Sequence, residues 1–272
     1  MNLENYFISQ FNNRHIGDDG ALIGNMVYSK DAFFENVHFK RDWMNCFEIA
    51  QKAMLVNISD AIAMNAEPEY ALLSVAMPKD MTKKEMQALA DGFKFVAKKY
   101  NIEIIGGDTI SNTKLDITVT IISKTKKPLL RSKIRPKYLF AFTGVLGNAA
   151  KELKKLQNLG KIHKKSKFIG FDLQNDFVKK SRNFLQAGMD ISDGLYSDLD
   201  KMAVLNKIGI KFLQKMPKRL ACSGEEYEML IAFDARDRKK IQRRAKQSRT
   251  KLTIFAKAAR NKYRNKCKAH HF

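Results

Sequence analysis

The sequence predicts a protein of mixed α+β and α/β class, arranged in two halves. Three observations carry this expectation. Apolar or β-branched runs at 70–77, 116–123 and 138–143 have the length and composition of strands. Amphipathic stretches at 83–100 and 195–207 keep apolar residues at helical spacing. Strands and helices are mixed on both sides of a Lys-, Arg- and Pro-rich segment near 125–135, which places a boundary between residues 1–130 and 131–272.

Taken in order, residues 47–65 read as a helix, with Ile49, Ala53, Val56 and Ala63 near helical spacing. The run 70–77 ends at Pro78 and reads as a buried strand. Asp80 or Thr82 caps the following helix, whose face carries Met86, Leu89, Phe93 and Val96. Ile102 to Ile105 reads as a short strand ended by Gly106-Gly107, and Asp116 to Ser123 as an alternating one. Beyond the boundary come a strand at 138–143, a helix at 147–159 and a weakly patterned stretch at 160–185. Gly188 to Ile191 is a short strand that runs into the helix 195–207. Strands at 208–213, 227–233 and 251–256, with a basic helix at 236–248, complete the chain.

The 272 residues, 44% of them hydrophobic, suffice for one or two cores. Apolar runs are too short to span a bilayer, and the N-terminus carries no secretory pattern, so a cytoplasmic protein without membrane contact is expected. Cys46, Cys222 and Cys267 are isolated and predict neither a zinc motif nor a disulfide framework. The net charge is +22, and Arg236 to Lys268 holds fifteen Lys or Arg against one acid. No helix-turn-helix, zinc-finger or RNP signature accompanies it. The basic end therefore reads as solvated surface, with no nucleic-acid partner expected. A nucleic-acid-binding module is the rival reading from another class. It predicts a steep salt dependence of binding and gives no reason for the acidic motifs described next.

Against this basic background stand five acidic motifs. They are Gly17-Asp18-Asp19, Ser29-Lys30-Asp31, Asn57-Ile58-Ser59-Asp60, Gly106-Gly107-Asp108-Thr109 and Asp190-Ile191-Ser192-Asp193-Gly194. Each alone reads as a turn, a strand-end charge or a helix cap. Asn57, Ser59 and Asp60 are harder to dismiss, since they sit inside an apolar helix and buried polar groups need partners. Asp190 and Ser192 share one face of an extended run. Carboxylates gathered together repel, and Mg2+, which takes oxygen ligands and holds phosphates beside carboxylates, removes that penalty. The motifs point to a magnesium-dependent enzyme acting on nucleotide phosphates. No Walker A, Gly-x-Gly-x-x-Gly or Gly-x-Ser-x-Gly motif is present. His38 lies among apolar neighbours, and Ser223-Gly224-Glu225-Glu226-Tyr227-Glu228 opens a strand with three carboxylates, otherwise read as edge charge.

In order, these segments resemble the thiamine-monophosphate kinase family, of the superfamily that includes aminoimidazole ribonucleotide synthetase. The resemblance runs over nearly the whole length. It takes in Lys52 to Met64, Arg131 to Pro136 and the terminal His271-Phe272 besides the motifs above. It implies a two-domain aminoimidazole ribonucleotide synthetase-like fold: an N-terminal mixed-sheet domain that pairs with its twin in a homodimer, and a C-terminal α/β domain. It implies transfer of the ATP γ-phosphoryl group to thiamine monophosphate, the last step toward thiamine diphosphate, with several Mg2+ ions. By residue, it implies Asp19, Ser29, Asp31, Asp60, Asp108, Asp190 and Asp193 around the metals. Gly107, Asp108, Arg131 and Ser192 would meet ATP, and His38 and Glu225 the thiamine substrate. No residue is implied as a general base, because the attacking phosphate oxygen is already ionised. Position 30 is Lys where the family carries a small hydroxyl residue, and Ala269 stands where an aromatic clamp is expected. Other ATP-using members of the superfamily are the nearest rivals. The reactive N-terminal Cys and Gly-rich lid of a selenophosphate synthetase are missing, and although Cys267 is close to the end, Ala269-His270-His271-Phe272 does not fit the Cys-bearing tail of a hydrogenase-maturation enzyme.

Overall fold

The computed structural model describes residues 3–11 and 13–268, so Ala269 and His271-Phe272 lie outside the described residues. The elements run α1 (Leu3–Ser9), β1 (Ala21–Ile23), β2 (Met26–Phe34), α2 (Cys46–Ala63), β3 (Glu67–Pro78), α3 (Lys83–Tyr100), β4 (Glu103–Asn112) and β5 (Asp116–Lys124). They continue with β6 (Leu139–Thr143), α4 (Asn148–Gln157), α5 (Asn175–Ser181), β7 (Leu185–Asp190), α6 (Leu195–Leu205), β8 (Gly209–Phe212), α7 (Lys218–Ala221), β9 (Met229–Phe233), α8 (Arg238–Gln247) and β10 (Leu252–Ala259). The mixed class is as expected.

Two five-stranded sheets form, ordered β1-β2-β5-β3-β4 and β7-β9-β6-β10-β8. In the first, only β3 and β4 are parallel, joined through α3 as a β-α-β crossover. One face of that sheet buries Val27, Phe33, Ala71, Val75, Ile117, Val119 and Ile121. The other face leaves Tyr28, Tyr70 and Leu72 each more than a third exposed. α2 is held at its start by a reciprocal cap between Asn45 and Glu48 and is buried on nearly every side. It packs against β2, β5 and β7, and one apolar core joins its Ile58 and Ile62 to residues of both sheets, such as Ile121 and Ile231. A second core, with Phe142, Ile191, Leu199 and Phe255, includes α6 residues and strands of the second sheet.

Four local expectations change. β4 does not stop at Gly106-Gly107 but runs through them to Asn112. A Cβ at Gly107 would fall 1.6 Å from the Leu73 carbonyl oxygen, so the glycine is what lets β4 pair closely with β3. Asp31 lies inside β2 rather than at its end. The acids 225–228 precede β9 instead of opening it. β9 is an interior strand, so Glu226 and Glu228 are buried rather than edge charges. Finally, Cys222 and Cys267 are bonded, with Cα atoms 5.5 Å apart across 45 residues of sequence. The chain beyond β10 returns to the end of α7, a closure that spacing in the sequence does not reveal.

Candidate active site

Three chain segments deliver the acidic centre. Asp19 comes from the turn before β1, Asp60 from the last turn of α2, and Asp190 from the end of β7. One oxygen of each lies within 4.8 Å of the others. Asp31 joins them from β2, close enough for its charge to act on Asp60. The helix delivers Asp60 here because α2 packs against both β2 and β7, and a residue near its C-terminal end meets the interior of β2 and the end of β7.

The electrostatics are those of crowded, buried anions. Burial, then the charges of Asp31, Asp190 and Asp19, pushes the Asp60 carboxyl well above the usual carboxylate range. Burial and then Asp19 do the same to Asp190, opposed by a 2.7 Å hydrogen bond from Ser59 Oγ. Asp31 rises to about 6, again through burial and then Asp19. Asp19 is raised by burial although Arg131 pulls it down, its guanidinium donating across 2.5 Å. Even so, Asp19 Oδ2 and Arg131 Nε are buried without a partner among the described residues. Both side-chain atoms of Asn57, in the same helix as Asp60, are equally unpartnered.

A cavity of about 190 Å³ opens on this centre, lined by Asp31, His38, Asp60, Asp190, Ser192, Asp193, Glu225 and Tyr227 among others. A neighbouring cavity of about 360 Å³ shares Ser192 and Glu225 and adds Asn36, Val37, Leu153 and Phe168. Wider surface hollows of about 770 and 620 Å³ lie elsewhere and meet none of these carboxylates. His38 Nδ1 accepts from the Phe34 N–H at 3.0 Å, which puts the proton of the neutral ring on Nε2. Its ring stacks on Phe33. Asp193 is held by Lys201 at 2.5 Å, and Lys201 also bonds the buried Asp198.

Other singled-out residues sit differently. Ser29 is buried, but its hydroxyl donates to the Asn57 carbonyl at 3.2 Å. Arg131 is committed to Asp19, and its backbone N–H donates to Asp18 Oδ1 at 2.7 Å. Lys30 points to the open face of the first sheet, bonded to Thr118 and Thr120. Gly107 and Asp108 lie on β4, three strands from Asp31, a separation of about 14 Å. Asp108 shares its row with Ser74, Thr118 and Ala32, the open-face row, whereas Asp31 faces the core side. Within one chain, Asp108 does not meet the cluster.

Residues 17–125 match the family model described as AIR synthase related protein, N-terminal domain. The thiamine-monophosphate kinase of Bacillus subtilis (strain 168) is 32% identical over 223 residues, covering 74% of this chain and 67% of that one. That of Buchnera aphidicola subsp. Schizaphis graminum is 31% identical over 276 residues, covering 88% and 83%. The chain belongs to the thiamine-monophosphate kinase family. The solved structure of AaThiL complexed with AMPPCP and TMP superposes with a TM-score of 0.84 at 22% identity, over 96% of this chain and 90% of that one, and supports the shared fold.

Sequence reasoning about this kinase-family chain missed several residues in and around the site. Tyr227 lines the acidic cavity with a backbone φ of 50° and stacks on Phe171. Lys167 bridges Glu226 and Glu228. Lys52, 1% exposed, bonds Glu225. Lys52 and Tyr227 both stood in segments already singled out in the sequence, and Lys52, like Asp60, is a charge among the apolar residues of that helix.

Proposed function

We propose that this chain transfers the γ-phosphoryl group of ATP to the phosphate of thiamine monophosphate, giving thiamine diphosphate and ADP. One observation carries the reading. In a chain of this family, Asp19, Asp60 and Asp190 are packed together, Asp190 buried and the other two partly so, with an Asp19 oxygen lacking a partner among the described residues, beside a cavity that continues into a more apolar one. Such a centre is costly unless a cation joins it. The donors are hard oxygens and their spacing admits one shared ion, a set that fits Mg2+. When bound, Mg2+ supplies charge neutralisation to phosphate oxygens.

The side chains do the rest. Asp31, Asp193 and Ser29 are proposed to complete the oxygen shell around Asp19, Asp60 and Asp190, with Ser29 turning from the Asn57 carbonyl. Arg131 steadies Asp19 and offers its fork to phosphate, and Ser192 stands at the junction of the two cavities. His38 and Glu225 hold the thiamine moiety. No general base is needed, because the attacking oxygen is ionised near neutral pH. Positioning and charge therefore carry the acceleration. A coupled ADP-release assay tests this reading. Turnover should require both thiamine monophosphate and Mg2+; turnover with plain thiamine alone would demand another assignment.

The two halves, 1–130 and 131–272, are proposed as the domains, with ATP between them. A second copy is proposed to cover the open face of the first sheet, where Tyr28, Tyr70 and Leu72 are exposed, with Ile105 and Ile110 exposed on the adjoining edge strand β4. Any metal or ATP role of Asp108 and Gly107 then runs through that copy. Light scattering should give a dimer mass for the native chain and a monomer for Leu72→Arg; a fully active monomer would contradict it. No helix of the described residues is long and apolar enough to cross a membrane. A cytoplasmic setting is proposed, and there Cys222 and Cys267 would be held as thiols. Alkylation of freshly lysed cells followed by mass measurement decides the point.

A further inference from the structure

Lys52 is the one lysine of the buried polar set, at 1% exposure, and a lysine is almost never this buried without a reason. Its ammonium has three partners from three distant segments. It donates to Glu225 Oε2 at 2.7 Å, lies 3.8 Å over the Phe168 ring, and lies 5.7 Å from the Phe33 ring. The two rings offer their negative faces, and the carboxylate offers the counter-charge. An apolar side chain would fill this helix position at less cost in desolvation, so packing alone does not explain the lysine.

Glu225 explains it. This residue sits in the loop before β9 in a left-handed conformation, φ 54°, with its N–H given to the Ser192 carbonyl at 2.7 Å. The backbone is thus fixed, but a glutamate side chain still has three free torsions. Lys52 removes that freedom by taking Oε2, and no hydrogen bond occupies Oε1 among the described residues. Glu225 borders both the acidic cavity and the more apolar one that Phe168 also lines.

We infer that Lys52 is a positioning residue for substrate: it pins one oxygen of Glu225 and so aims the other at a donor group of the bound thiamine moiety. The inference rests on the kinase reading above and on Glu225 meeting that moiety. Lys52 touches no phosphate-binding residue in the structure. Its loss should therefore weaken thiamine monophosphate and leave ATP alone.

Steady-state kinetics on the full-length enzyme test this. Lys52→Met should raise KM for thiamine monophosphate at least tenfold, with KM for ATP and kcat within twofold of native. Equal losses in both KM values, or none, overturn the inference. Should Lys52→Met fail to fold, a second pair carries the test. Glu225→Gln leaves the buried Lys52 ammonium without its counter-charge, whereas Lys52→Met/Glu225→Gln removes both charges together. If Lys52 acts only through Glu225, the two variants share one KM for thiamine monophosphate. A further rise of fivefold or more in the double variant overturns it. A native enzyme that releases no ADP with thiamine monophosphate sinks the kinase reading itself. Native turnover with an indifferent Lys52 sinks only the positioning role.

Discussion

Two acidic groups of this chain are finished very differently: Glu226 and Glu228, buried just before β9, and the cluster of Asp19, Asp31, Asp60 and Asp190. Glu226 accepts from Ser223 Oγ at 2.6 Å, from the Gly147 N–H at 2.7 Å, and from Lys167 at 3.1 Å. Glu228 accepts from Thr143 Oγ1 at 2.7 Å, Lys167 at 2.9 Å and Gln174 at 3.1 Å. The two carboxylates share one counter-charge, Lys167, each has further hydrogen bonds, and Glu226 also caps the start of α4. Asp19, Asp31, Asp60 and Asp190 have one arginine and one serine between them, and an Asp19 oxygen is left bare among the described residues. The first group is complete as folded and holds the loop before β9 in shape. The second is the one that the proposed function completes with a cation. Acid content does not separate structure from function in this chain; the supply of partners does.

The largest expected effect strikes at that contrast. Asp60→Asn removes a repelling charge from the unfinished group. Turnover should fall by about 10²–10³, the cost of losing one transition-state charge contact, while metal-free melting temperature holds or rises. Turnover near native at modest Mg2+ would break the distinction. Glu228→Gln is the mirror experiment. It strips a partner from the finished group and leaves Lys167 under-paired, at a cost of about 2–3 kcal/mol in stability. The melting temperature should drop by roughly 5 °C or more, with kcat little changed.

A pH profile sharpens the comparison. Burial raises Asp31 to about 6, above its unfolded value, and raises Asp60 and Asp190 further. A carboxyl raised in the fold favours the folded state while protonated. Its contribution is therefore fully present below the unfolded pKa and is lost as pH rises through the folded one. Metal-free protein should lose on the order of 2 kcal/mol of stability between pH 4 and 7 from Asp31 alone. Mg2+ should restore it, so the stabilisation by Mg2+ grows with pH. A metal response that is flat across pH 5–8 would remove the unfinished group from the account.

How much of this was legible follows from the range over which each feature is decided. The start of α3 is local: Thr82 accepts from the Glu85 N–H, and the Thr82–Glu85 box is written in four residues. The alternation of Ile117, Val119 and Ile121 on β5 is local too, and it marks the buried face. β4 misled because Gly106-Gly107 resembles a stop, whereas Gly107 serves the close approach of Leu73, thirty-four residues away. Glu226 and Glu228 resembled edge charges because their partner, Lys167, lies in the weakly patterned stretch. The acidic motifs were visible singly. That Asp19, Asp60 and Asp190 converge, and that Asp108 stands apart on the open face, depends on how α2 seats against β2 and β7.

The most direct test is a crystal grown with Mn2+ and a non-hydrolysable ATP analogue, measured at the manganese edge. The account predicts an anomalous peak within about 2.5 Å of oxygens from Asp19, Asp60 and Asp190, and none at Glu226 or Glu228. Peaks confined to other surfaces, with Asp19 still closed on Arg131 and the three aspartates bare, would contradict it.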